Sequence, residues 1–164
     1  MNKISVYIAL LIMTLFTCSC AAKESAKKVV WLGYHESSSA IYPTVHYDFQ
    51  LEEDGTYTLI NGADRSPEEA QLAVVPAEVA ERLTEIVAEE RMSRYRKNYR
   101  PLMAILDGTS WDLSIQFDDE SVITSSGYAK HPRGKGLQRL EEYLNEVWAQ
   151  VQDSAATVNL YEKY

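Results

Sequence analysis

Between Asp107 and Tyr128 the chain reads DGTSWDLSIQFDDESVITSSGY. Trp111, Leu113, Ile115 and Phe117 fall on alternate positions, separated by Asp112, Ser114 and Gln116. Successive side chains of a strand point to opposite faces, so this period of two sets four large apolar groups on one side and polar groups on the other. Asp118 to Ser121 turns the chain, and Val122-Ile123-Thr124 brings it back. The stretch is a β-hairpin whose apolar face must be covered by something else, because a lone hairpin is marginal in water.

A second hairpin precedes it. Val45 to Gly62, VHYDFQLEEDGTYTLING, matches the first stretch at a constant offset. Val45 aligns with Trp111, Tyr47 with Leu113, Phe49 with Ile115 and Leu51 with Phe117, and the acidic turns coincide. Repetition of a supersecondary unit is one origin of such a match; two independent amphipathic hairpins are the other. Val29 to Tyr34 is rich in strand formers and predicts a strand ahead of the first hairpin, and Leu72 to Val75 predicts a short one after it.

Two helices supply the cover. Pro76 suits a first helical turn. Val79, Leu83, Ile86 and Val87 then line one face, among Glu78, Glu81, Arg82, Glu85 and Glu89. From Lys135 to Gln152, Leu137, Leu140, Leu144, Val147, Trp148 and Val151 form the second stripe. Sheet faces roofed by helix stripes predict an α+β fold, a two-layer sandwich in which two helices cover an antiparallel sheet. The order is βββα-βββα, a candidate pseudo-repeat. Residues 29–152 form this single domain, and 153–164 are expected as a C-terminal tail, with Val158 to Tyr161 offering an edge strand.

The N-terminus has a different character. Met-Asn-Lys precedes Ile4 to Phe16, in which only Ser5 and Thr14 are polar. As a helix this run reaches about 20 Å, short of the roughly 30 Å hydrocarbon core of a bilayer. A charged start, a short apolar run and then small residues make a secretory signal peptide. Leu15-Phe16-Thr17-Cys18-Ser19-Cys20-Ala21-Ala22 follows, and resembles the lipobox of bacterial lipoproteins. That resemblance implies a diacylglycerol on a cysteine thiol, cleavage just before that cysteine and acylation of its new amino group. Ser19 favours Cys20 as the lipidated residue; Leu15 favours the alternative, Cys18. The expected division is a signal peptide over 1–19 and a charged tether over 20–28. The layout of the Trp111-x-Leu-x-Ile strand, Ser125-Ser-Gly127-Tyr128 and the Leu-rich last helix is similar to small envelope lipoproteins of Bacteroidota. That likeness implies a lipid-anchored place in the cell envelope and points to no known activity; Ala21 after the lipidated cysteine fits sorting to the outer membrane.

Both cysteines lie in this leader region, so the domain beyond it has no disulfide and no cysteine-based metal or redox chemistry. The formal net charge of −8 argues against nucleic acid as a partner.

Sites for chemistry are sparse. His35, His46 and His131 show neither HxxxH nor HxH spacing, so no metal set is expected, and hydrogen-bonded or solvated histidines are. Ser37-Ser38-Ser39 and Ser125-Ser126-Gly127 lack the G-x-S-x-G elbow. The acidic turns lack the ligand alternation of a calcium loop. No catalytic or cofactor-binding set is expected. The most suggestive segment is Arg91 to Arg100, RMSRYRKNYR, just after the first helix. Arg94, Tyr95, Arg96, Tyr99 and Arg100 form a candidate binding surface for a protein or glycan partner, since Arg and Tyr are frequent in recognition sites. The alternative is a solvated helix end whose basic residues complement the helix dipole. The expected function is a non-catalytic binding or accessory module. A hydrolase built on one of the histidines, or an inhibitor-like protein-binding domain, are the alternatives.

Overall fold

A computed structural model describes residues 27–38, 43–103 and 105–163. The expectations for the signal peptide, for Cys18 and Cys20, and for most of the tether lie outside the described residues. Eight strands form one sheet: β1 (Val29–Ser37), β2 (Val45–Leu51), β3 (Tyr57–Asn61), β4 (Ala70–Val75), β5 (Asn98–Tyr99), β6 (Ser110–Phe117), β7 (Val122–Tyr128) and β8 (Ala156–Val158). Their spatial order is β5-β7-β6-β1-β2-β3-β4-β8. Helix α1 (Glu78–Glu89) and helix α2 (Gly136–Val151) form the second layer, and a short α3 (Leu160–Lys163) ends the described chain.

Alternation decides which side of the sheet is roofed. Trp111, Leu113, Ile115 and Phe117 are buried, and Tyr34, Tyr47, Phe49 and Leu59 join them in the cluster beneath α1 and α2. The helices contribute Val79, Leu83, Ile86 and Val87 from α1, and Leu137, Leu140, Leu144, Val147 and Trp148 from α2. Burying each such large apolar side chain contributes about 1.5–3 kcal/mol. Val29 and Leu32 are both buried although three residues apart, which a regular strand would place on opposite faces. A register shift between Val29 and Trp31 in the β1–β6 ladder is a bulge that turns both inward.

The two-layer α+β sandwich is therefore present, with differences in detail. The sheet is mixed, because β5 runs parallel to β7 while the other neighbours are antiparallel. The two hairpins, β2–β3 and β6–β7, flank β1 on opposite sides at the offset read in the sequence. Beyond them the order differs: four strands precede α1, and only β5, β6 and β7 lie between α1 and α2. The expected tail is structured. Ala156 to Val158 pair with Ala70 to Leu72 as an edge strand, and Lys163 Nζ meets Glu52 Oε1 at 2.9 Å. The tether's last residues are fastened too: Lys27 Nζ pairs with Asp119 at 2.6 Å, and the Lys28 amide donates to Asp118.

The second sheet face carries the residues between the core positions. Trp31, Gly33 and His35 of β1, His46, Asp48 and Gln50 of β2, and Asp112 and Ser114 of β6 share it by the same alternation.

Candidate functional site

Two loops at one end of the sheet build a basic groove. The first leaves α1 after Glu89, where Arg91 adopts a left-handed backbone (φ 51°) that reverses the chain. Met92 is buried and anchors the turn that follows. The segment is then laced to β7: Ser125 Oγ donates to the Arg96 carbonyl at 2.7 Å, and the Ser126 amide donates to the Lys97 carbonyl at 3.0 Å. The Arg96 amide donates to the Tyr99 hydroxyl at 3.0 Å. The second loop starts at Ala129, also left-handed (φ 48°). Trp111 Nε1 donates to the Lys130 carbonyl at 2.8 Å, and the His131 ring stacks on the Trp111 indole at 5.7 Å. Gly127 must lack a side chain, because a Cβ there would overlap both Trp111 and the Lys130 carbonyl.

Between the loops lies a depression of about 490 Å³. Arg91, Arg94 and Arg96 line it from one side, Lys130, His131 and Arg133 from the other, with Tyr95 and Tyr99 between them. Glu90, the one lining carboxylate among the described residues, is already paired with Arg139 of α2. Among the described residues, none of the five Arg and Lys side chains of the groove makes an ion pair. Like charges held together in a concave site raise the local potential and attract anions. Burial, with Glu90 and Tyr99 nearby, pushes the Tyr95 hydroxyl up, so it remains a donor. The space for that hydroxyl comes from Gly136 at the start of α2, where a Cβ would overlap it.

Of the surface read in the sequence, Arg94, Tyr95, Arg96 and Tyr99 line this groove, and Arg100 does not. It lines a neighbouring depression of about 580 Å³, with Pro101, Leu102, Met103, Ile105 and Tyr128. Tyr99 is common to both. Leu102, Met103 and Leu106 stand exposed beside it. The segment is also not a helix end: its residues cross from α1 to the sheet edge. Lys130, His131 and Arg133 were invisible to sequence reasoning, because only the pairing of β5 with β7 brings their loop to Arg94.

The histidines divide. His131 belongs to the groove. His35 and His46 are direct cross-strand partners, and their rings lie 4.2 Å apart. Asp48, buried between them, accepts His35 Nε2 on one oxygen and His46 Nε2 on the other, each at 3.0 Å. Asp112 lies 3.4 Å from the other nitrogen of His35. Burial opposes a charge on His35, but Asp112 and Asp48 outweigh it and raise its pKa to about 9. Asp48, although buried, is held well below the usual carboxylate range by its two imidazoles. The histidines are thus hydrogen-bonded, as expected; their convergence was not, because β1 runs past Tyr34 to Ser37 and sets the pair in register. Among the described residues no hydroxyl of Ser or Thr hydrogen-bonds to a histidine. Ser125 and Ser126 hold the basic segment instead. In the acidic turns, Asp54 accepts from Thr56, and Asp119 from Lys27 and Ser121.

Set against known families and curated protein sequences, the chain matches none. No helix among the described residues is long and apolar enough to cross a membrane.

Proposed function

We propose that the protein is a binding module whose basic, tyrosine-lined groove captures an anionic ligand. In the reading that joins both ends of the chain, it is a lipid-anchored lipoprotein of the cell envelope, and its ligand is an acidic glycan. The observation that carries the binding role is the convergence of Arg91, Arg94, Arg96, Lys130 and Arg133 on one groove of an acidic chain, with the lining carboxylate of Glu90 neutralised by Arg139. The arginine fork suits a carboxylate or sulfate, and half-buried tyrosines suit the face of a sugar ring. The anchor rests on the apolar run and the cysteine pair that precede the domain.

The test is titration with a uronic-acid oligosaccharide at low and high salt. Binding should weaken as salt rises and fall at least tenfold in an Arg94→Ala, Arg96→Ala, Arg133→Ala variant. Binding that is absent in the wild type, or unchanged in that variant, overturns the reading.

A further inference from the structure

We propose that His35, His46 and Asp48 form a site for a divalent transition-metal ion, with zinc the ion that the donor set fits. The site lies on the sheet face opposite the helices and is independent of the groove. One ring nitrogen of each histidine and a carboxylate oxygen of Asp48 lie within 4.8 Å of one another. Each Nε2 is 3.0 Å from its Asp48 oxygen. Donors around a tetrahedral zinc with bonds near 2.0–2.1 Å stand about 3.3 Å apart, so an ion entering between these atoms needs only small side-chain shifts. Two imidazoles select a transition ion over calcium or magnesium, which prefer oxygen.

The surroundings match such a centre. Asp112 sits 3.4 Å from His35 Nδ1, the place of the outer carboxylate that fixes a ligating imidazole with its far nitrogen toward the metal. Asp48 is 4% exposed, and among the described residues its carboxylate hydrogen-bonds to these two imidazoles only. Two glycines clear the space. A Cβ at Gly62 would come within 3.0 Å of the His46 ring, and one at Gly33 within 3.1 Å of Asp48. His35 is a third exposed, which leaves an entry path and an open coordination position for water.

The test uses the full chain in detergent, treated with chelator, titrated with Zn²⁺ by calorimetry and with Co²⁺ by visible absorption. One ion per chain is expected, with cobalt bands free of thiolate charge transfer. His46→Ala and Asp48→Asn should abolish stoichiometric binding, and Asp112→Asn should weaken it about 10–100-fold. Gly62→Ala should weaken it while keeping every ligand. Circular dichroism identifies which variants fold; the partly exposed His35→Gln is the one expected to stay native, and it should lose the ion. No binding to folded wild type, undiminished affinity in His35→Gln or His46→Ala, or a thiolate band that assigns the ion to Cys18 or Cys20, would each overturn the proposal.

Discussion

The indole nitrogen of Trp111 donates to the carbonyl of Lys130 at 2.8 Å, and this bond joins the buried core to the loop that carries half of the basic groove. The Trp111 side chain is 2% exposed, His131 stacks on it, and Tyr99 leans on it with ring centroids 5.7 Å apart. One residue of β6 therefore supports both walls of the groove.

Trp111→Phe removes this donor while leaving an aromatic ring in the core. The loss of the hydrogen bond, with the carbonyl left partly unpaired, should cost about 1–3 kcal/mol. Smaller packing losses add to it. Urea denaturation measures the stability change. Ligand affinity should fall as well, although Trp111 is not one of the groove's lining residues. Unchanged affinity in the folded variant would show that the Lys130–Arg133 loop holds its place without the indole.

Gly136 and Tyr95 give a sharper test. The Tyr95 hydroxyl occupies the space of the Cβ that Gly136 lacks. Gly136→Ala should destabilise the fold by about 1–3 kcal/mol, the usual cost of overfilling a packed site. Tyr95→Phe in the same chain removes the offending oxygen and should recover most of that loss. The double-mutant cycle is read from urea midpoints, and additive effects would mean that the two residues do not compete for one space.

The His35–Asp48 pair sets a pH dependence in the metal-free protein. The His35 pKa is raised from 6.5 to about 9, so its contribution is complete below pH 6.5 and disappears as pH climbs through 9. Asp48 is depressed, so its contribution is present above pH 3.8 and is lost as pH falls toward its folded pKa. The His35–Asp48 bond is common to both shifts and counts once; Asp112 adds to the first and His46 to the second. Melting temperature should be flat across mildly acidic pH and should decline between pH 6.5 and 9. His35→Gln should flatten that decline. Tyr47, pushed up to about 12 by burial, does not enter this window.

At the N-terminus, Cys20→Ala should release the protein from membranes, and Cys18→Ala should leave it attached. Fractionation with metabolic fatty-acid labelling distinguishes them. Labelled Cys20→Ala beside unlabelled Cys18→Ala would move the lipid to Cys18.

Period-two alternation at Trp111 to Phe117 and the stripes from Val79 to Val87 and Leu137 to Val151 were legible because each element declares its own buried face. β5 was not. It is two residues long, and hydrogen bonds from Ser125 and Ser126 hold the segment beside it, with no apolar pattern of its own. β8 is similarly short and is defined by pairing with β4. Half of the groove was readable as a run of Arg and Tyr. Lys130, His131 and Arg133 were not, since two distant loops meet only after β7 has found β5. The His35–His46 pair was hidden for the same reason: cross-strand register is a property of the ladder, and no local spacing encodes it.

Lys27 and Lys28 are fastened at the Asp118–Ser121 turn, while the loop that carries Lys130, His131 and Arg133 opens at the other end of β7. Seven residues of strand separate the two by roughly 20 Å. A fatty acid on Cys20 would therefore moor the domain beside the Asp118–Ser121 turn and hold the Lys130–Arg133 wall of the groove at the far end of β7, outermost from the bilayer.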